Sequence, residues 1–548
     1  MFIDLLIKNP LLLLFLVAAI GFPIGRIHIK GGSLGVSAVL FVGLFAGALH
    51  PELKVPELLS MFGLTLFVYT IGLSSGPAFF SSFRRKGLRE TAFVISLLIG
   101  AAIVTVAAMW LFKFDSATAS GIFAGSLNNT PALAGVLDQL KSHVAAGVSE
   151  VILTKPVVGY SLTYPMGVLG TILAIYFAQK LWKIDYSQEK QAAAGTVPGP
   201  SAHGPIRNRT ILVTQQRATI IPIQELARQN HWEAVFGRYK HDEKQQLVSN
   251  DTRLSIGDEV VVIAPTDQLD LVTSCLGEKA EEDLSADRSL FDYRRVFVSN
   301  KDIIGRRLGE LDFMRSHEIA VTRIRRGDVE LLPHSNTVLE PGDRIRVLCR
   351  REIMDEVSAY FGDSYKAVSE IDILSFSTGL ALGILFGLIP FPLASGIVVK
   401  FGLAGGPLVV GLVLGKLYRT GSIVWVLPYG ATLMIRQIGL VLFLAGVGTR
   451  AGYAFFSTIL HGPGLLILLV GTAVSLFTVF GALVIGYRFL GVPMSRLVGM
   501  IAGMFTQPAV LGFALEQTRN ENPNAGYAMV HPIATITKII LAQVVLSW

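Results

Sequence analysis

The chain has 548 residues, 51% of them hydrophobic and only 16% charged, and its mean hydropathy is +0.55. That balance excludes an ordinary soluble protein and points to a chain that is mostly membrane-embedded. The net charge of +7 does not indicate a nucleic-acid partner, because the basic excess sits in short loops beside apolar runs. Two cysteines, Cys275 and Cys349, are too few for a disulfide framework or a thiolate metal site. No metal and no other cofactor is expected.

The first block, residues 1–184, carries apolar runs at about 4–25, 31–49, 59–80, 90–113 and 151–180, each near the ~20 residues that a bilayer core requires. The run from Leu5 to Ile24 lacks a small-x-small cleavage site, and Asp4 joins Lys8 ahead of it, so it is taken as the first membrane helix and not as a signal peptide. The stretch Thr118–Leu140 is interrupted by Asn128-Asn129-Thr130-Pro131. It is too polar in its middle for a plain span and is expected to be re-entrant. Arg26, His28 and Lys30, and later Arg84, Arg85, Lys86 and Arg89, mark loops on the cytoplasmic side, which places the N-terminus outside.

Residues 185–205, rich in Gln, Ala, Gly and Pro, read as a flexible linker. The polar segment after it repeats itself: Leu254-Ser-Ile-Gly-Asp258 recurs as Leu339-Glu-Pro-Gly-Asp343, a shift of 85 residues that also maps Ile211 onto Val296 and Gly277 onto Gly362. Two small α+β units are expected, at 206–284 and 285–367, each with a Gly-Asp turn that feeds a β-branched strand.

The second block, residues 371–548, repeats the first in order. Gly63-Leu-Thr-Leu-Phe returns as Gly439-Leu-Val-Leu-Phe, Gly121-Ile-Phe-Ala-Gly as Gly499-Met-Ile-Ala-Gly, and Gly159-Tyr-Ser-Leu-Thr-Tyr-Pro165 as Gly526-Tyr-Ala-Met-Val-His-Pro532. The second break, Thr506-Gln507-Pro508, is one residue shorter than the first. Gly-x-x-x-Gly pairs recur in step, including Gly43/Gly47 with Gly411/Gly415 and Gly72/Gly76 with Gly448/Gly452, and such pairs let helix backbones approach closely. If each broken stretch does not cross, five spans per block make the count odd and the second block inverted. The expected fold is an inverted repeat of about 5+5 transmembrane helices with re-entrant broken helices, the design in which transporters place substrate near midplane.

Polar groups that interrupt apolar helices supply the candidate substrate-binding residues: Asn128, Asn129, Thr130 and Pro131 at the first break, and Thr506, Gln507 and Pro508 at the second. Prolines there free backbone groups that need partners. Tyr160 and Tyr164 lie four residues apart, as do Tyr527 and His531 on the matched helix; core packing is their alternative role. Arg450 and Lys538 are cations inside spans, a placement that is costly and usually functional.

At these residues the chain resembles a known family. The strings Gly63–Gly72, Asn-Thr-Pro-Ala-Leu (129–133) and Gly-Leu-Ala-Gly-Gly-Pro-Leu (402–408) are similar to the aspartate:alanine exchanger family, particularly its YidE-like branch. The two Leu-x-x-Gly-Asp copies resemble TrkA-C (RCK-C) domains. The resemblance implies an antiporter of amino acids or dicarboxylates such as aspartate, alanine, glutamate or succinate. It further implies residence in the bacterial inner membrane, cytoplasmic TrkA-C domains with a nucleotide regulator such as a cyclic dinucleotide, and a homodimer. A ligand-gated ion channel controlled by those domains is the alternative, suggested by Val-Gly-Tyr-Ser at 158–161, but the repeat reads Ala-Gly-Tyr-Ala. An enzyme is not expected: Gly72-Leu-Ser-Ser-Gly76 has no strand-turn-helix context. No Gly-x-Gly-x-x-Gly occurs between 200 and 365, which excludes that dinucleotide fingerprint.

Overall fold

The structure is a computed structural model that describes residues 2–27, 35–82, 88–143, 150–184, 186, 206–242, 244–327, 329–366, 370–392, 398–518 and 522–548. The linker expected at 185–205, apart from Tyr186, lies outside the described residues, as do the loop residues His28, Lys30, Arg84, Arg85 and Lys86. Two compact units result: a helical one from residues 1–197, 374–416 and 432–548, and a sheet-containing one from residues 198–373 and 417–431.

In the helical unit the first repeat runs α1 (Phe2–Lys8), α2 (Pro10–Gly25), α3 (Ala38–Leu49), α4 (Glu57–Ser82), α5 (Leu88–Phe112), α6 (Ser116–Ser126), α7 (Thr130–His143) and α8 (Glu150–Leu181). The second runs α9 (Ile373–Leu388), α10 (Gly402–Leu417), α11 (Tyr429–His461), α12 (Gly464–Leu483), α13 (Met494–Met504), α14 (Pro508–Thr518) and α15 (Asn522–Leu546). Among the described residues six helices are long and apolar enough to cross a membrane. They form three matched pairs: α4 with α11, α5 with α12, and α8 with α15. The other expected spans are shorter, and the first differs in shape, since α1 and α2 meet at 111° where Asn9 precedes Pro10. A helix of 12 residues such as α3 rises only about 18 Å, so the sequence count of ten full spans resolves into six long helices and shorter apolar partners.

The repeats interlock through their glycines. A Cβ at Gly47 of α3 would collide with the Thr449 carbonyl of α11, and one at Gly415 of α10 with the Leu73 carbonyl of α4. Each repeat thus lends the same helix to the other's long span, the reciprocity that a two-fold relation between repeats produces. Where α4 and α11 cross, Gly63 and Gly439 face each other's carbonyls at 2.6 Å from the added carbon. Only a bare backbone fits there.

The second unit holds two sheets that share the same order over four strands. In the first, β1 (Ile206–Val213), β2 (Val235–His241), β3 (Lys244–Leu247), β4 (Glu259–Pro265) and β5 (Gly277–Lys279) stand in the order β3-β2-β4-β1-β5. In the second, β6 (Phe291–Phe297), β7 (Ala320–Arg326), β8 (Val329–Leu331) and β9 (Arg344–Arg350) stand in the order β6-β9-β7-β8. The shift of 85 carries one register onto the other: Ile211 opposes Val260 as Val296 opposes Ile345. Both Gly-Asp turns put glycine at positive φ, +94° at Gly257 and +85° at Gly342, a conformation that favours glycine. Asp258 and Asp343 are buried and accept the amides of Ser255 and Glu340. Their cationic partners also match, His241 Nδ1 at 2.6 Å and Arg326 Nη2 at 2.6 Å. The loop between α10 and α11 belongs to this unit: Arg419 donates to the carbonyls of Asp302 and Ile304, and Val424 and Val426 pack on the second sheet's core.

Candidate functional site: two broken helices bridged by a buried lysine

The half-helix α6 starts at Asp115, whose carboxylate accepts from the Thr118 amide at 2.9 Å. It stops because Asn128 turns left-handed, φ +52°, and the chain re-enters a helix at Thr130. Pro131 sits in that new first turn, where its missing N–H leaves no bond unmade. Half-helix α13 ends the same way, with Thr506 at φ +50° and α14 beginning at Pro508; the side chain of Pro508 lies outside the described residues. Backbone bonds repeat the likeness, Asn129 N to Ala124 O at 2.8 Å and Gln507 N to Ala502 O at 3.0 Å.

Each break leaves carbonyls at the negative end of a helix dipole. Lys538 of α15 meets both sets. Its Nζ donates to Leu127 O at 3.0 Å, Met504 O at 2.6 Å and Thr506 Oγ1 at 3.2 Å, and its side chain is fully buried. Thr506 Oγ1 in turn donates to Asn128 O at 2.9 Å, so the two breaks are joined directly as well as through the ammonium.

The other polar residues close around this bridge. Asn128 Nδ2 donates to Tyr164 O and Gln507 Nε2 to Tyr164 Oη, both at 2.9 Å. Thr130 Oγ1 and Tyr160 Oη lie 2.9 Å apart. Asn129 Oδ1 accepts the Ala132 amide at 2.8 Å and caps α7. Among the described residues Asn128 Oδ1 and Asn129 Nδ2 are buried with no hydrogen-bond partner, one acceptor and one donor. Tyr527 and His531 pack ring to ring at 4.9 Å on the helix that carries Lys538, and His531 O accepts from Thr535.

Arg450 stands apart from the breaks. It lines a cavity of ≈ 90 Å³ together with Glu57, Ser60, Asp138 and Lys141. Glu57 bridges the cations there: it pairs with Lys141 and lies 3.5 Å from Arg450 Nη1, while Arg450 Nε donates to Val55 O at 3.3 Å. Glu57 and Lys141 flank apolar runs and in sequence read as solvated ends, so neither is among the residues expected to bind substrate. Lys155, another cation near a span end, pairs with Asp115 at 3.3 Å with both side chains more than two-fifths exposed.

Comparison with known proteins agrees with this architecture. Residues 13–180 and 375–547 match the Asp-Al_Ex family, described as a predicted permease membrane region, and residues 293–362 match the TrkA-C domain. An uncharacterized transporter of Geobacter sulfurreducens is 52% identical over 547 residues, covering 100% of this chain and 99% of that one. One of Symbiobacterium thermophilum is 47% identical at 100% and 99% coverage, and one of Corynebacterium diphtheriae 40% at 99% of each. No solved structure matches. With both membrane halves matched in order around a TrkA-C domain, the chain belongs to the Asp-Al_Ex permease family.

Proposed function

We propose that the chain is an antiporter that exchanges small amino acids or dicarboxylates, of the class of aspartate, alanine, glutamate and succinate, across the bacterial inner membrane. In this reading the sheet-containing unit is cytoplasmic and regulatory, takes a nucleotide signal, and pairs two chains as a homodimer. The observation that carries the proposal is the meeting of two matched helix breaks at Lys538. Irregular backbone at membrane depth is tolerated where it lines a cavity or is buried in protein, and transporters of repeat design bind there. The unpartnered Asn128 Oδ1 and Asn129 Nδ2 are an acceptor and a donor, which an ammonium and a carboxylate respectively satisfy.

The charged cavity supports the same substrate class. Helix α7 runs from the first break to Asp138 and Lys141 in the cavity wall, and the Glu57 carboxylate already holds Lys141 and Arg450. A substrate carboxylate offers those cations the same chemistry. Calorimetric titration of the purified protein with aspartate, glutamate, alanine and succinate tests the reading. At least one is expected to bind saturably, with binding weakened in Gln507→Ala; no saturable binding of any of the four overturns the substrate class.

A further inference from the structure

The second sheet presents a row of like charges that its fold does not require. Arg295 on β6 is directly opposite Arg346 on β9, and Arg346 is directly opposite Arg323 on β7. The next rung pairs Arg344 with Arg325. Side chains at paired positions share a face of the sheet, so three arginines leave one face at adjacent strand positions, with two more at the next rung. Like charges directly across strands are destabilising.

The first sheet shows that the topology does without them. By the 85-residue shift Arg295, Arg346 and Arg344 stand where Thr210, Val261 and Glu259 stand, and Arg323 and Arg325 have the basic counterparts Arg238 and Lys240. Arg238 is buried and satisfied by the carbonyls of Phe291 and Leu284. Arg323 is different: its Nε is buried and has no hydrogen-bond partner among the described residues.

Acids near the row are few. Glu330 lies 3.5 Å from Arg323, and Asp292 lies 3.6 Å from Arg288 and accepts the Tyr293 amide. Tyr293 is covered by Arg346 at 3.7 Å and by Arg288 at 4.4 Å, which brings a further guanidinium to the same patch. Burial, together with neighbouring arginines, holds both Arg323 and Arg346 below the ordinary guanidinium value, against the pull of Glu330 on Arg323 and of Tyr293 on Arg346. Arg295, Arg344 and Arg325 stay exposed, and Arg346 and Arg323 are half-buried, so a solute meets the row from its exposed Arg295 end.

We propose that Arg295, Arg346 and Arg323 form a binding site for a small soluble anion that carries two or more phosphate groups. Neighbouring strands lie ~4.8 Å apart, so three arginines in a row span about 10 Å. One phosphate engages at most two of them, whereas linked phosphates reach all three through the forked geometry that arginine offers. The site rests on the reading of the sheet-containing unit as the one that takes a nucleotide signal, and gives that signal its residues; weakening by Arg346→Gln tests these residues apart from transport.

Isothermal titration of the full-length protein in nanodiscs with inorganic tripolyphosphate, and separately with inorganic phosphate, tests this. Tripolyphosphate is expected to bind saturably and at least tenfold more tightly than phosphate. Arg346→Gln and Arg295→Gln are each expected to weaken it at least tenfold, while Arg228→Gln, an exposed arginine of the first sheet unit, leaves it unchanged. A fold control accompanies the titration: without anion, Arg346→Gln is expected to melt no lower than the parent, since it removes repulsion. No saturable tripolyphosphate binding, or equal weakening by Arg228→Gln, overturns the site.

Discussion

An ammonium group has three hydrogens to donate, and in Lys538 all three are directed at oxygens of the two helix breaks. Lys538→Met keeps length and loses the donors, which strands the carbonyls of Leu127 and Met504; an unsatisfied buried acceptor costs about 1–3 kcal/mol. Thermal unfolding in detergent is expected to shift down by that amount of stability, and Asn128 and Thr506, which share the bridge, should lose amide protection with it. Asn129→Asp is a different probe, because it keeps the oxygen that caps α7 and removes the Nδ2 donor. Asn129→Asp and Gln507→Ala are each expected to weaken substrate binding by about 1–3 kcal/mol, read from binding isotherms; unchanged affinity in both would move the substrate elsewhere. The polar breaks and the intramembrane cations were legible as residue types in an apolar context. That Lys538 serves both breaks, and that Arg450 meets Glu57 and Lys141, depends on which helices pack together, and nothing in local sequence encodes that.

Helix pairing explains the glycines better than helix propensity does, since glycine within a helix costs about 1 kcal/mol relative to alanine. Gly72→Val and Gly411→Val sit on opposite sides of one crossing, where each added Cβ meets the other helix's backbone. Both are expected to lower stability by about 1–3 kcal/mol, the usual cost of overpacking, and to do so alike, as a melting series in detergent would show. The glycine pairs and the 85-residue shift were readable because repetition needs no knowledge of contacts. The sharp bend between α1 and α2 and the short α3 were not, since run length in sequence counts apolar residues and cannot tell where a helix bends.

In the sheet unit, matched positions give different pH windows. His241 is held above its ordinary value by the Asp258 hydrogen bond and charge. A raised folded value means the stabilisation is fully present below about pH 6.5, and is lost as pH rises through the raised value. Protection factors for β1 and β4, corrected for intrinsic exchange, should therefore fall from pH 6 to pH 8.5, and the fall should vanish in His241→Gln. Arg326 is penalised by burial, yet the Asp343 hydrogen bond and charge outweigh that and keep it charged throughout, while burial pushes the Glu340 carboxyl beside it up to about 7; β6 and β9 should therefore lose protection as pH rises to about 7 and level off above it.

At the scale of the whole molecule, the proposed topology has both termini outside and residues 200–365 inside. A cysteine at position 250 should stay unlabelled by impermeant reagents in intact cells; labelling there would contradict the inverted arrangement. The loop between α10 and α11 gives the regulatory reading a mechanical basis, because Arg419 and Val424 tie it to the second sheet. Arg419→Ala should raise amide exchange across residues 417–431 and alter the rate of transport without abolishing it.

The exchange claim itself is met most directly by loading proteoliposomes with labelled substrate and following efflux with and without countersubstrate outside, at a clamped potential. An antiporter built on two matched helix breaks releases label only when countersubstrate is present. Equal release in its absence, accompanied by a steady ionic current, would contradict the account and favour a channel.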